Sequence, residues 1–137
     1  MMKRIILLMA LVTSVGCLAQ HSNSLSEVDI HAPHNVQIEV IDATKKFGQK
    51  NGYTVYATDN LPREGRLVSQ VLLTRADGVS VVASNFMDKE VLRTDFYAEK
   101  EGADWRTAKE IWLAEMRTVV GDRGQIINVI LEEIPKP

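Results

Sequence analysis

The clearest pattern of hydrophobic positions along the chain lies on either side of a tight-turn signal at Asp77 and Gly78. Residues 66–86 contain two β-rich runs around this dipeptide, which supplies the positive-φ positions of a two-residue hairpin turn. Such a turn places Leu73 opposite Val82. One face of the hairpin then carries Leu67, Val71, Leu73, Val82 and Phe86. The other carries Val68, Leu72, Val79, Val81 and Ala83. We therefore predict a hairpin with two apolar faces.

Four further segments have patterns that are typical of strands. Residues 36–41 alternate apolar and polar side chains, and residues 53–58 are β-branched and aromatic after a turn signal. Residues 91–98 alternate again, and a helix over residues 87–100 is the alternative there. Residues 125–134 are apolar on both faces, which indicates a C-terminal strand.

One segment has the period and the boundary residues of a long helix. Residues 105–120 place apolar side chains on one stripe, with Asp104 as the N-cap and Gly121 at the C-terminal end. Residues 42–50 fit either a short helical turn or a long hairpin loop. The sequence therefore predicts one convincing helix near the C-terminus.

Together these elements predict an α+β fold, with a curved antiparallel sheet of about five or six strands. The sheet packs against one long C-terminal helix, at about residues 105–120, which precedes the last strand. Doubly apolar strands belong in the middle of a covered sheet, so we expect the 66–86 hairpin and the C-terminal strand to be central. By the same argument, residues 36–41 and 91–98 are peripheral.

A single helix covers only one face of such a sheet. The second face must be hidden by curling of the sheet into a half-barrel, by a second copy of the chain, or by a ligand or partner. This uncovered face is therefore the expected recognition surface.

The N-terminus has the layout of an export signal. Lys3 and Arg4 precede an apolar run that is too short to span a membrane, and small residues follow it. Cleavage before Cys17 would give a lipidated N-terminus, whereas an ordinary signal peptidase would cut after Ala19. Residues 1–19 are thus predicted to be a signal peptide. Residues 20–35 are predicted to be a flexible polar tether, and residues 36–137 a single domain.

The charge and the cysteine content of the chain limit which partners it can bind and which cellular compartment it is expected to occupy. The chain has 16 Lys and Arg against 18 Asp and Glu. Loss of Lys3 and Arg4 with the signal leaves 14 against 18, a net charge of −4. An acidic chain lacks the positive surface that phosphate backbones require, so we expect no nucleic-acid partner. The only cysteine is Cys17, which excludes an intramolecular disulfide. We expect a periplasmic protein, an outer-membrane lipoprotein or a secreted protein.

The candidate catalytic and metal-binding groups do not form a recognisable set. All three histidines, His21, His31 and His34, lie in the predicted tether, and no cysteine or carboxylate cluster completes a metal site. The serines lack a nearby base with a known spacing. We therefore predict no catalytic residues, no metal and no cofactor.

The aromatic residues near the 59–65 loop are the best candidates for contact with a partner. Tyr53 and Tyr56 fall on opposite sides of their strand, and Arg63 lies in the loop. We expect a small exported non-catalytic envelope protein that binds a protein partner or an apolar small ligand through the uncovered sheet face. A structural homodimer that uses this face is the first alternative, and a small hydrolase is the second.

Overall fold

The computed structural model describes residues 23–131, except for the side chain of Met87. The predicted signal peptide and Cys17 therefore lie outside the described residues. Eight elements follow one another along the chain. They are β1 (Ser26–His31), α1 (His34–Lys50), β2 (Thr54–Arg63), β3 (Arg66–Thr74), β4 (Val79–Asp88), β5 (Val91–Ala98), α2 (Trp105–Val120) and β6 (Gln125–Ile130).

The six strands form one antiparallel sheet in the order β2-β3-β4-β5-β1-β6. The predicted α+β class is confirmed, as is the C-terminal helix before the last strand. The sheet is not closed, so it does not curl into a barrel. The hairpin strands are central, as expected. The placing of the C-terminal strand is wrong, because β6 is at an edge. That of residues 91–98 is also wrong, because β5 lies between β4 and β1.

Helix α2 forms for the reasons that its sequence indicates. A carboxylate oxygen of Asp104 accepts a hydrogen bond from the backbone N–H of Thr107 at 3.1 Å, which caps the first turn. Gly121 ends the helix with a φ of 55°, a conformation that suits glycine. Trp112 is fully buried and packs edge-on against Phe96, with ring centroids 5.5 Å apart. This contact anchors α2 on the sheet.

Helix α1 corrects the prediction of a strand at residues 36–41 and settles residues 42–50 as helical. Its buried positions include Val36, Val40, Ile41, Thr44 and Phe47. The buried positions recur at intervals of three and four residues, which fits one face of a helix with a period of 3.6 residues. The alternation that suggested a strand extends over only three apolar residues, of which Val36 and Val40, four positions apart, share one face of the helix.

The prediction of a flexible tether at residues 20–35 is wrong for residues 26–31. These residues form β1, which pairs with strands on both sides. Ser26, Val28 and Ile30 are fully buried. The Ser26 hydroxyl donates to the Val129 carbonyl at 3.0 Å, so a buried polar side chain is satisfied inside the sheet. A short strand with two apolar residues gives little signal, and its position comes from its neighbours.

The β3–β4 turn corrects the predicted hairpin register by one residue. The Arg75 N–H donates to the Val79 carbonyl at 3.0 Å, so three residues, not two, separate the paired positions. Leu73 therefore pairs with Val81, and Leu72 pairs with Val82. A one-residue slip exchanges the faces of one strand relative to the other. The hairpin consequently has one apolar face and one mixed face.

Both helices lie on the apolar face of the sheet and contact each other there. The core contains side chains from both helices and from β1, β3, β4 and β5. The expectation of one helix covering a doubly apolar sheet is therefore wrong on two counts. A second helix is present, and the opposite face alternates polar and apolar residues.

Candidate functional site

The sheet side that points away from the helices, called the open face here, carries two parallel rows of side chains. The strand registers align the first row across all six strands. This row consists of Tyr56, Leu72, Val82, Asp95, Glu27 and Val129. The neighbouring row consists of Thr58, Gln70, Ser84, Arg93, Asp29 and Ile127. The open face therefore has an acidic centre with apolar residues toward both edges.

Arg93 organises the charged centre of the open face. Its Nε and Nη2 atoms donate to the two carboxylate oxygens of Asp29 at 2.9 and 3.0 Å, a bidentate arrangement. A carboxylate oxygen of Glu27 is 3.9 Å from the guanidinium. The hydrogen bonds to Asp29 raise the pKa of Arg93 above its usual value. Arg93 supplies one positive charge among the three carboxylates of Glu27, Asp29 and Asp95, so the net charge of this centre is negative.

Asp95 is the carboxylate of this cluster whose environment departs most from water. It accepts one hydrogen bond, from the Ser24 hydroxyl at 2.8 Å. Burial raises the pKa of Asp95 to about 6, and the negative charge of Glu27 adds to this effect. A half-buried carboxylate with a raised pKa is stabilised by a positive charge brought to it.

Tyr97 lies on the open face beside this cluster, in the same strand as Asp95. Burial raises the pKa of Tyr97 to about 12, with a further contribution from the charge of Asp95. The hydroxyl therefore remains a neutral donor and acceptor throughout the ordinary pH range. Tyr97 adds an aromatic surface with a polar end to the acidic centre.

Exposed apolar side chains lie at both margins of the open face. Tyr56 on β2 is 48% exposed, while Ile127 and Val129 on β6 are 40% and 41% exposed. Tyrosine and arginine are among the residues enriched in protein–protein interfaces, and the open face presents both, with its charged groups at the centre and its apolar groups at the margins. The sequence prediction found Tyr56 and missed the whole acidic centre, because the strand β1 that completes it was not recognised.

The three predicted contact residues are not brought together as one site. Tyr53 is buried against Phe47, and the Arg75 guanidinium lies 4.7 Å from its ring centroid. Burial raises the pKa of Tyr53. Tyr56 lies on the open face. Arg63 is exposed at the end of β2, with its guanidinium 5.2 Å from the ring centroid of Phe86. Of the two tyrosines, Tyr56 is thus the accessible one.

A cleft of about 480 Å³ lies where the β2–β3 turn, the β4–β5 turn and the start of α1 meet. Its lining includes His34, Arg66, Asn85 and Lys89. The Arg66 guanidinium donates to the backbone carbonyls of Asn85 and Phe86. The Asn85 side chain bridges β3 and α1 through hydrogen bonds of 2.9 and 3.1 Å. Arg66 and Asn85 thus serve the fold.

The histidines and acidic residues of the described chain do not form a metal centre. Within residues 23–131, no group of three or more His, Cys, Asp or Glu side chains is arranged to hold a metal ion. His31 ends β1 and His34 begins α1, and both are exposed. In the same part of the chain, neither helix is long and apolar enough to cross a membrane.

No model of a protein family matches this chain, and no curated protein matches it significantly.

Proposed function

We propose that the protein is a small exported non-catalytic binding protein, and that a protein partner docks on the open face of its sheet. The observation that carries the proposal is the composition of this face. Three carboxylates and one guanidinium form its centre, and exposed apolar side chains lie at its margins. A partner with basic residues flanked by apolar ones complements this pattern.

A protein partner fits the open face better than an apolar small ligand does. Small ligands bind in concave pockets that bury most of their surface, and polar groups in such pockets are few. The cleft described above lies at one end of the domain, whereas the acidic centre of the open face includes Glu27, Asp29 and Asp95. An apolar ligand placed over these three carboxylates would remove them from water with only the single charge of Arg93 to compensate.

The acidic centre also weighs against a homodimer that uses the open face. A two-fold axis through this face would bring the carboxylates of one copy close to those of the other. Like charges that are opposed in an interface cost several kcal/mol, at an order of magnitude. The structural homodimer through this face is therefore the weaker alternative.

The small hydrolase is favoured by one observation, the raised pKa of Asp95 beside Glu27. A carboxyl with a raised pKa beside a second carboxyl is an arrangement that general acid–base catalysis uses. The same face, however, holds Arg93 in a bidentate pair with Asp29. A binding role uses all of these groups, and a hydrolytic role uses only Asp95 and Glu27.

The export part of the proposal comes from the sequence of residues 1–19. The basic, apolar and small-residue order is that of a signal peptide, and Cys17 is the candidate for lipidation. Intact mass of the protein after extraction from membranes distinguishes a lipidated Cys17 from a free Gln20. A mass that retains residues 1–19 without a lipid would contradict export.

Site-specific photo-crosslinking in the producing cell tests the docking surface. A crosslinker at Tyr56 or Gln70, both on the open face, is expected to capture the same protein partner. A crosslinker at Glu110, which is exposed on α2, provides the matched control. Capture of the partner from Glu110 alone, or of nothing from Tyr56 and Gln70, would contradict the proposal.

Charge substitution then tests the chemistry of the captured partner. Glu27→Gln removes one carboxylate from the acidic centre and is expected to weaken partner binding roughly two- to fivefold, less at high salt. Glu110→Gln makes the same chemical change on the helix and should leave binding unchanged. Equal affinities for the wild type and Glu27→Gln at low salt would exclude a basic partner. Loss of a hydrolytic activity in Asp95→Asn would favour the hydrolase instead.

A further inference from the structure

The two edges of the sheet differ in how well they are protected against pairing. The β2 edge has an irregular register between Thr58 and Leu61, with Asn60 at a φ of 51°. Pro62 and the charged Asp59 and Arg63 lie in the same strand. A bulge, a proline and charged side chains are the devices that prevent a sheet edge from pairing with another strand.

The β6 edge has none of these features within Gln125–Ile130. Its register with β1 is continuous over six residue pairs, and its sequence, QIINVI, contains no charge and no proline. Ile127 and Val129 remain 40% and 41% exposed on its open-face side. Among the described residues, no strand pairs with its outer side. An uncharged, regular and apolar edge is a template for strand addition.

The backbone groups of β6 that are free to pair follow from the alternation of the ladder. The Leu131 N–H donates to the Leu25 carbonyl at 2.9 Å, so this residue directs its backbone toward β1. Alternate residues in an antiparallel strand direct their N–H and C=O groups to opposite sides. Ile126, Asn128 and Ile130 therefore direct theirs outward.

We propose that β6 pairs antiparallel with β6 of a second copy, about a two-fold axis at Asn128. This register places Asn128 opposite its own equivalent and Ile126 opposite Ile130 of the second copy, as hydrogen-bonded pairs. About six interchain hydrogen bonds result. Ile127 then lies opposite Val129 of the second copy, at the closer, non-hydrogen-bonded positions. Every outward backbone group and both exposed apolar side chains are matched by this single register.

Self-pairing suits this strand because the carboxylates of the acidic centre remain far apart. Glu27 and Asp29 lie one strand inward from the edge, opposite Val129 and Ile127. Three strand spacings separate these carboxylates from those of the second copy, a distance of about 14 Å. This distance exceeds the Debye length of about 8 Å at physiological ionic strength. The acidic centre that opposes face-to-face association thus does not oppose edge pairing.

Sedimentation equilibrium of the full chain, purified as the cell produces it, tests the proposal. The wild type is expected to be a dimer that dissociates on dilution. The double substitution Ile127→Lys and Val129→Lys places lysines opposite each other across the two-fold axis. It is expected to raise the dissociation constant by at least about tenfold, which corresponds to about 1.4 kcal/mol.

The introduced lysines lie beside Asp29 and Glu27 of their own chain, which favours folding of the variant. Thermal unfolding checks that it is folded. Leu61→Lys provides the matched control, since Leu61 is 40% exposed on the protected β2 edge and its substitution should leave the dimer intact.

Amide hydrogen exchange identifies the occupant of the edge. Protection of the Ile126, Asn128 and Ile130 amides that increases with protein concentration supports self-pairing. The same protection in a monomer, independent of concentration, would assign the edge to another segment of the chain and overturn the proposal. A wild type that stays monomeric at about 100 μM, or a dimer lost only in Leu61→Lys, would also overturn it.

Discussion

Asp95→Asn is expected to stabilise the protein at neutral pH, although it removes a charged group. Burial raises the pKa of Asp95 from 3.8 to about 6, so the folded protein favours the unionised carboxyl. The unfolded chain ionises this group at lower pH. Its contribution to stability is therefore complete below about pH 4 and is lost as the pH rises through about 6. Asparagine is uncharged at every pH and can still accept the hydrogen bond from Ser24.

The size of the effect follows from the two pKa values. Each tenfold change in the acid dissociation constant is equivalent to about 1.36 kcal/mol, which gives an upper limit of about 3 kcal/mol at pH 7. Because Asp95 is only partly buried, solvent screening reduces this limit. We expect Asp95→Asn to raise the free energy of unfolding by about 1–2 kcal/mol at pH 7 and to change it little at pH 4.

Urea unfolding of the wild type and Asp95→Asn at several pH values between 4 and 8 measures this difference. Asp29→Asn provides a control with the same chemical change on the same face. It breaks the bidentate pair with Arg93 and should lower stability by about 0.5–1 kcal/mol at pH 7. If the difference in free energy of unfolding between Asp95→Asn and the wild type does not grow from pH 4 to pH 7, burial does not control the pKa of Asp95. A less stable Asp95→Asn protein at pH 7 would refute the reasoning outright.

Three further substitutions test the packing of the fold, each by urea or thermal unfolding. Gly78→Ala is expected to lower the free energy of unfolding by about 2 kcal/mol or more, because Gly78 has a φ of 98° and a Cβ would lie 2.8 Å from the backbone nitrogen of Lys100. Unchanged stability would contradict this close approach. Trp112→Phe should lower the free energy of unfolding by about 2–3 kcal/mol, since it leaves a cavity and removes the 3.0 Å hydrogen bond from the indole to Thr44. A loss below about 0.5 kcal/mol would show that neighbouring side chains move in to fill the cavity. Gln37→Leu should lower the free energy of unfolding by about 2–4 kcal/mol. The buried amide donates to two backbone carbonyls, at 3.0 and 2.9 Å, and both carbonyls would lose this donor. A stabilised variant would show that water replaces the amide as the donor.

The elements that the sequence predicted correctly are those whose signals are local. The N-cap Asp104, the terminal Gly121 and the apolar stripe between them define α2 without reference to the rest of the chain. The hairpin strands β3 and β4 and the alternating strand β5 are similarly defined by their own residues. Boundaries and secondary structure could be predicted wherever capping and periodicity agree.

The elements that were mispredicted obtain their structure from tertiary contacts. The first apolar residues of helix α1, Val36, Ile38 and Val40, satisfy a period of two. Val36 and Val40 also satisfy the helical period, and only the later residues distinguish the two. Strand β1 is polar enough to resemble a linker. Its position inside the sheet depends on pairing with β5 and β6, whose partner residues lie 60 or more positions away along the chain.

The candidate site was only partly predictable, because it depends on a register that local sequence does not determine. The dipeptide Asp77-Gly78 suits a two-residue turn, yet the hairpin uses three loop residues and so pairs Leu72 with Val82. Burial decides between the two registers. The observed one places Val71, Leu73, Val79, Val81 and Ala83 together under the helices, where each is fully buried.

The one-residue difference in register changes the kind of partner that the sheet can accept. In the predicted register, apolar residues cover both faces, and a second copy could bury the uncovered one. In the observed register, polar residues alternate with Leu72 and Val82, and β1 adds Glu27 and Asp29 beside Asp95. Face-to-face packing of two copies at about 10 Å would remove these carboxylates from water opposite one another. Edge pairing through β6 leaves them in solvent, so a second copy fits the edge and a basic partner fits the face.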